Sequence, residues 1–339
     1  MYMKKLTYRF NKNTYQRKKK RSVQEFEYGY LMKGLIRKYI VNDKDFIEDK
    51  TSKIVDISNE YYNSKIKVNI DLITQIKEKK NLPNYIPKEY LPEYFNKDGK
   101  IDDNTLWFVK PNRSCQGKGI IITKDPKEYV DKDYVIQKLV IPKLIENRTW
   151  CLRYFLLLYY ENNKLDLWVT DDALIRQGLI DFDINIDPQD WDIMLIVNRH
   201  FQIRHKKYKE LYNQNRDKKI GMLSENKHDL DYNKICKNLK IMAKKIKDKL
   251  YKDANGLFNE KNKSHEILAF DIIIEDDIPK VLEVNQWPGF GIFYSDKVES
   301  NQTDKVNIFE ENTLKFMKEE LIKKPLLDKK PEKGYFYKI

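Results

Sequence analysis

The chain has 339 residues, room for two domains at about 150 residues each. Hydrophobic residues make up 41% and aromatic residues 13%, enough to form a core, so general disorder is excluded. Lys and Arg outnumber Asp and Glu by 65 to 52, a net charge of +13, which favours a polyanionic partner: nucleic acid, anionic lipid, acidic peptide or nucleotide.

In chain order, residues 4–38 are dense in Lys and Arg, with a KKKR run at Lys18–Arg21. Such a block reads either as a solvated arm or as a dock for an acidic partner. It lacks the apolar stretch of a signal peptide. Residues 69–80 (NIDLITQIKEKK) have the spacing of a short amphipathic helix. Four prolines between Pro83 and Pro111 mark a connector with turns. Strands are expected at Leu106–Pro111, Gly119–Thr123, Tyr134–Val140 and Trp150–Tyr160. Leu165–Thr170 is a hairpin partner for the last of these, and Phe270–Glu275 with Lys280–Asn285 forms a second hairpin. The most apolar run, Tyr154–Tyr160, falls far short of the ~20 residues a membrane-spanning helix needs.

In Asp231–Lys252 the residues Ile235, Leu239, Met242, Ile246 and Leu250 form one apolar stripe, with lysines covering the rest. Phe309–Ile322 is a weaker helix. The tail from Lys323 is basic and broken by prolines, so it is expected to be loosely ordered. No internal repeat is visible, and strands interspersed with helices predict an α+β or α/β architecture. Three widely spaced cysteines, Cys115, Cys151 and Cys236, argue against a disulfide framework and for a reducing, cytoplasmic setting.

The second hairpin carries the strongest chemical signal. Side chains alternate along a strand, so Glu283 and Asn285 face one way and Leu282 and Val284 the other, into a core. If Glu275 pairs with Pro279, Asp271 lies opposite Glu283. Two carboxylates and an amide then share one face, where a hard cation such as Mg²⁺ offsets their repulsion. Alternation alone equally allows an ordinary solvent-facing hairpin. Upstream, Lys110 ends a strand and Lys118 sits between Gly117 and Gly119, a turn that can hold phosphate oxygens or be a plain surface turn. Arg153 lies inside an apolar strand, so it needs an anionic partner, either a carboxylate or a phosphate. Arg176 raises the same alternative. None of His200, His205, His228 and His265 lies in a zinc-protease or serine-hydrolase motif.

Taken in order, Trp107-Phe108-Val109-Lys110-Pro111, then Gln116-Gly117-Lys118-Gly119-Ile120, then Val135-Ile136-Gln137-Lys138, Leu152-Arg153, Arg176, Phe270-Asp271 and Leu282-Glu283-Val284-Asn285 with Pro288 resemble the motifs of the tubulin–tyrosine ligase-like family. Tyr85-Ile86-Pro87 and Leu91-Pro92 resemble a further one. The resemblance covers about residues 80–295, and the QGKGI spelling is similar to glutamylase-type members. It implies an ATP-grasp fold with mainly antiparallel sheets and flanking helices. The chain then divides into a basic segment 1–55, a central lid domain 56–137, a carboxy-terminal domain 138–325 with the Mg/ATP site, and a basic tail 326–339.

The resemblance also implies an activity: ATP-dependent ligation of an amino acid, glutamate above all, to an acidic protein tail such as that of tubulin, through an acyl phosphate. ATP and Mg²⁺ are the implied cofactors, and the setting is cytoplasmic and microtubule-associated. By residue, it implies that Lys110, Gln116, Gly117, Lys118, Gly119 and Ile120 meet ATP phosphates. Gln137, Lys138, Leu139 and Val140 hold the base, and Asn198 aligns with a nucleotide loop. Asp271, Glu283 and Asn285 hold Mg²⁺, with Glu283 also catalytic beside Arg153 and Arg176, which steady phosphate or the intermediate. Thr149 and Cys151 stand where the family has Lys and Asp, and Leu195-Ile196-Val197 replace all but the Asn of its HLTN. These departures keep two alternatives open: a ligase acting on another acidic protein, and a non-catalytic module that binds a polyanion or microtubules. Nucleic-acid binding ranks last.

Overall fold

The computed structural model describes residues 6–8, 46–48, 75–76, 78–95, 105–114, 117–161, 164–183, 185, 190–197, 221–253, 264–286, 305, 308–309, 312 and 336–339. Two antiparallel sheets dominate. The smaller joins Ile121–Thr123 (β4), Trp107–Pro111 (β3) and Tyr134–Lys138 (β5), with β3 in the middle. For these strands, β-branched and aromatic content marks the elements, and the ends fall within two residues of expectation.

The larger sheet is built on Trp150–Glu161 (β6), the longest apolar run of the chain. Leu152, Phe155, Leu156 and Leu157 are fully buried. Apolar residues on both faces are what a central strand requires. On one side β6 pairs with Ser264–Glu275 (β10), which pairs with Ile278–Gln286 (β11). On the other side it pairs with Lys164–Thr170 (β7) at one end and Leu174–Gln177 (β8) at the other. A two-residue strand, Gly221–Met222 (β9), extends β8.

The helix Tyr232–Asp253 (α1) covers one face of this sheet, packing across β7 and β11. Its stripe, Ile235, Leu239, Met242, Ala243, Ile246 and Leu250, is at most 2% exposed. It meets Leu152, Tyr154, Leu156, Phe270, Ile272, Val281 and Val284 in one core. Each such side chain contributes about 2 kcal/mol by leaving water. Asp231 precedes the helix and accepts from the Lys234 amide at 3.0 Å, the cap its residue type favours. The opposite face of the sheet is left for the candidate site.

Four expectations are corrected. Glu275 pairs with Ile278, not Pro279, because Asp276 and Asp277 alone make the turn, both at positive φ, 47° and 67°. The register then shifts between Asp271 and Ile272, where Leu282 is the extra residue of a bulge, so Asp271 still faces Glu283. Leu282 is therefore only partly buried, and Val281, fully buried, joins Val284 in the core instead. In the carboxy-terminal tail, Phe336–Lys338 (β12) is a strand antiparallel to β7 with Phe336 fully buried, so this part is not loose. The helix expected through residue 80 gives way to a 3-10 turn at Lys79–Asn81.

Near the amino terminus, Leu6–Tyr8 (β1) pairs in parallel with Phe46–Glu48 (β2); the rest of the basic segment lies outside the described residues. The helix expected at Phe309–Ile322 falls mostly outside them too. Cys151 and Cys236 are free thiols.

Candidate functional site

Alternation along four neighbouring strands assembles the site. Arg153 on β6 pairs with Asp271 on β10, and Asp271 with Glu283 on β11. Arg176 on β8 lies opposite Cys151 on β6. Successive odd positions of β6 and β10 point away from α1, so these side chains share one face.

Arg153 reads Asp271 in bidentate fashion, Nε to Oδ1 at 2.9 Å and Nη2 to Oδ2 at 3.0 Å. Of the two anionic partners open to Arg153, the structure supplies the carboxylate. Arg176 Nη1 lies 3.8 Å from Asp271 Oδ2. Its buried Nε has no hydrogen-bond partner among the described residues, an orphaned donor of the kind a bound anion satisfies. Asn285 Nδ2 donates to Asp271 Oδ2 at 3.0 Å and to Glu283 Oε1 at 3.3 Å. Asp271, Glu283 and Asn285 thus stand together.

The electrostatics follow from this packing. Burial favours the neutral acid at Asp271, but the two guanidinium groups outweigh it and hold the carboxyl far below its ordinary range. Glu283 moves the other way: burial, then the Asp271 charge, raises its pKa. Cys151 is pushed up to about 12 by burial first and Asp271 next, which makes it an inert thiol. Thr149 is buried too and donates to the Met194 carbonyl at 2.5 Å.

The oxygen-rich set Asp271, Glu283 and Asn285 suits a hard divalent cation, with Glu283 the group whose ionisation it would relieve. A half-turn of the Asn285 amide aims its oxygen at the same point. Among the described residues no group of three or more His, Cys, Asp or Glu stands together. A cation here therefore needs other oxygens, such as phosphates, to complete its shell.

The smaller sheet contributes Lys110, buried, with Nζ 2.5 Å from Gln137 Oε1. Burial, the largest influence, brings its pKa down to about 8 against the pull of Glu283. Gln137 is 1% exposed and donates to the Tyr94 hydroxyl at 3.1 Å. The Lys138 ammonium reaches Glu93 at 3.3 Å, and the Leu139 amide donates to the Leu106 carbonyl at 2.8 Å. Leu139 packs with Phe108, Ile122, Trp191 and Met194 in a partly buried apolar cluster, and Val140 is buried. The turn is open: Lys118 and Gly119 are exposed, Gly117 and Ile120 half-buried. Gly117 and Gly119 have φ of 71° and 70°, and a Cβ on Gly119 would come within 3.1 Å of Pro111. Ser114 Oγ closes this turn on the Lys118 carbonyl at 2.7 Å. Gln116 and Asn198 lie outside the described residues.

One further residue at the site carries no mark in the sequence. Lys79, 6% exposed, donates to the Ser114 carbonyl at 2.7 Å and lies 3.9 Å from Glu283 Oε2. It sits in a lysine-rich run, IKEKK, where neither periodicity nor motif separates it from its neighbours.

A family model described as the tubulin-tyrosine ligase family matches residues 46–310. A probable beta-tubulin polyglutamylase of Tetrahymena thermophila is 27% identical over 227 residues, which is 60% of this chain and 19% of that protein. Tubulin polyglutamylase TTLL13 of Mus musculus is 25% identical over 216 residues, 58% of this chain and 26% of that protein. The chain thus matches about a fifth to a quarter of the length of these curated relatives. Among solved structures, the C-terminal domain of K. lactis Pby1, an ATP-grasp enzyme interacting with the mRNA decapping enzyme Dcp2, superposes with a TM-score of 0.52 at 16% identity, covering 94% of this chain and 96% of that one. The fold is ATP-grasp, with mainly antiparallel sheets.

Proposed function

The chain belongs to the tubulin-tyrosine ligase family, with glutamylase-type similarity, and from that premise we propose that it is an ATP-dependent ligase joining glutamate to an acidic protein tail, tubulin's being the first candidate. The γ-phosphoryl group of ATP passes to an acceptor carboxylate, leaving ADP. The amino group of the incoming amino acid then displaces phosphate from the acyl phosphate, forms the amide and gives up a proton. Such chemistry asks a protein for position and charge neutralisation rather than a nucleophile.

The single observation that carries this reading is the cluster of Asp271, Glu283 and Asn285 beside buried Arg153 and Lys110 and half-buried Arg176. Lys110 and the glycine turn at Lys118 would bind phosphates. The apolar cluster at Leu139, Phe108 and Trp191 would take the flat base, with Gln137, Lys138 and Val140 along its edge. Asp271, Glu283 and Asn285 would hold Mg²⁺, which when bound supplies charge neutralisation at the transferring phosphoryl group. Arg176, with its orphaned Nε, would take the phosphate or the acyl phosphate. Arg153 would act through Asp271, holding that carboxylate ionised and oriented.

The test is the intact mass of tubulin incubated with this protein, ATP, Mg²⁺ and a mixture of glutamate, glycine and tyrosine, beside Glu283→Gln. A mass ladder with glutamate spacing seen only with the unaltered chain supports the reading. ATP binding without a ladder shifts the acceptor to another acidic protein. Neither binding nor a ladder makes the non-catalytic polyanion-binding module the better reading.

A further inference from the structure

Lysine is seldom fully buried, because stripping an ammonium group of water is costly unless partners replace it. Lys79 is 6% exposed, yet the described partners of its Nζ are one carbonyl, Ser114 O at 2.7 Å, and one carboxylate, Glu283 at 3.9 Å. The second distance exceeds a direct hydrogen bond. Stability alone does not explain the charge. The same segment is already fastened to the turn by two flanking contacts: Glu78 with Arg113 at 2.9 Å, and the Lys80 amide with Asn112 Oδ1 at 3.1 Å. An apolar side chain of similar volume at position 79 would serve the packing as well.

The charge balance gives the reason. Three buried cations, Lys79, Lys110 and Arg153, and the half-buried Arg176 face two carboxylates, Asp271 and Glu283. The excess is positive, and it lies between the larger sheet and the turn that carries Lys118. Ser114 links the two: its carbonyl accepts from Lys79 while its hydroxyl closes the turn on the Lys118 carbonyl.

We propose that Lys79 is a positioning residue of the nucleotide site, whose ammonium group ties Ser114, and through it Lys118, to Glu283 and adds to the positive field that receives a triphosphate. This rests on the ATP reading above and extends it to a residue outside the matched motifs. The expectation is that Lys79 acts on the phosphates and not on the base.

Isothermal titration of the full chain with Mg²⁺ and ATP, then with adenosine, tests it. Lys79→Gln keeps a donor for Ser114 but removes the charge, and should weaken ATP binding about tenfold, while Lys79→Arg restores it to within about threefold. Adenosine binding and the unfolding midpoint of the nucleotide-free chain should stay near those of the unaltered protein. Should Lys79→Gln fail to fold, Lys79→Met gives the same comparison with Lys79→Arg. ATP binding unchanged in the uncharged variant would overturn the proposal and leave the ATP reading standing. Equal weakening in the Arg and Gln variants, with a matching fall in midpoint, would also overturn it, by reducing Lys79 to scaffold. No ATP binding by the unaltered chain would overturn the ATP reading itself and this inference with it.

Discussion

Lys110 is the residue whose surroundings most directly set a measurable pH dependence. Burial lowers its pKa from 10.5 to about 8. The free protein therefore loses this positive charge as the pH rises through 8, and ATP affinity should begin to fall there. Lys110→Arg, which stays charged throughout, should show a flat profile in the same titration. Folding stability moves oppositely. Between about pH 8 and 10.5 the unfolded chain binds a proton that the folded chain does not, so stability linked to Lys110 rises across that window. Arg153 makes a second residue-scale prediction. Lost with its two hydrogen bonds to Asp271, it leaves a buried carboxylate short of its main partner. Arg153→Met should cost about 3–5 kcal/mol in denaturant unfolding, and a cost below about 1 kcal/mol would mean that Arg176 alone suffices for Asp271.

At the scale of elements, the β10–β11 hairpin depends on one extra residue. The Asp276–Asp277 turn sets a register that would put Leu282 opposite Asp271; the bulge at Leu282 restores Glu283 to that place. It also lets Val281 and Val284 both face the core while Glu283 and Asn285 face the site. Deleting Leu282 removes the extra residue and leaves Glu283 opposite Asp271 in an unbroken ladder, with Glu283 and Asn285 still facing the site. The deletion should therefore leave the chain soluble and cooperatively unfolding, measured by yield and circular dichroism, and a loss of most folded material would mean that the bulge itself is required; Leu282→Ala, at a half-buried bulge, should cost only about 1 kcal/mol. The facing of Asp271 and Glu283 was legible in the sequence, but the route to it was not. A turn of two non-glycine residues at positive φ and a bulge carry no composition signal in DDIPKVLEVN. Similarly, β12 reads as a basic, proline-broken tail until Phe336 is seen buried beside β7, because an edge position in a sheet is decided by distant strands.

Over the whole molecule, the charge of +13 becomes a prediction about partners. If the acceptor is an acidic tail, association should weaken steadily between about 50 and 200 mM salt, as long-range attraction is screened within roughly 10 Å. Binding of a glutamate-rich peptide, followed by fluorescence anisotropy, checks this; an affinity indifferent to salt would assign the basic surface another use. The sequence by itself determined the smaller sheet's three strands, β6, β7, β10 and β11 of the larger, the apolar stripe of α1 and the motif residues that the structure brings together, because side-chain periodicity and ordered local motifs are properties of neighbouring residues. Only the tertiary structure decided that Asp271 belongs to Arg153, that Cys151 is buried inert thiol, that Leu282 is a bulge and that Lys79 reaches Glu283. Those facts depend on pairs up to about two hundred positions apart, and the physics that fixes them, burial of charge and the register between strands, acts through space and leaves no trace in local sequence.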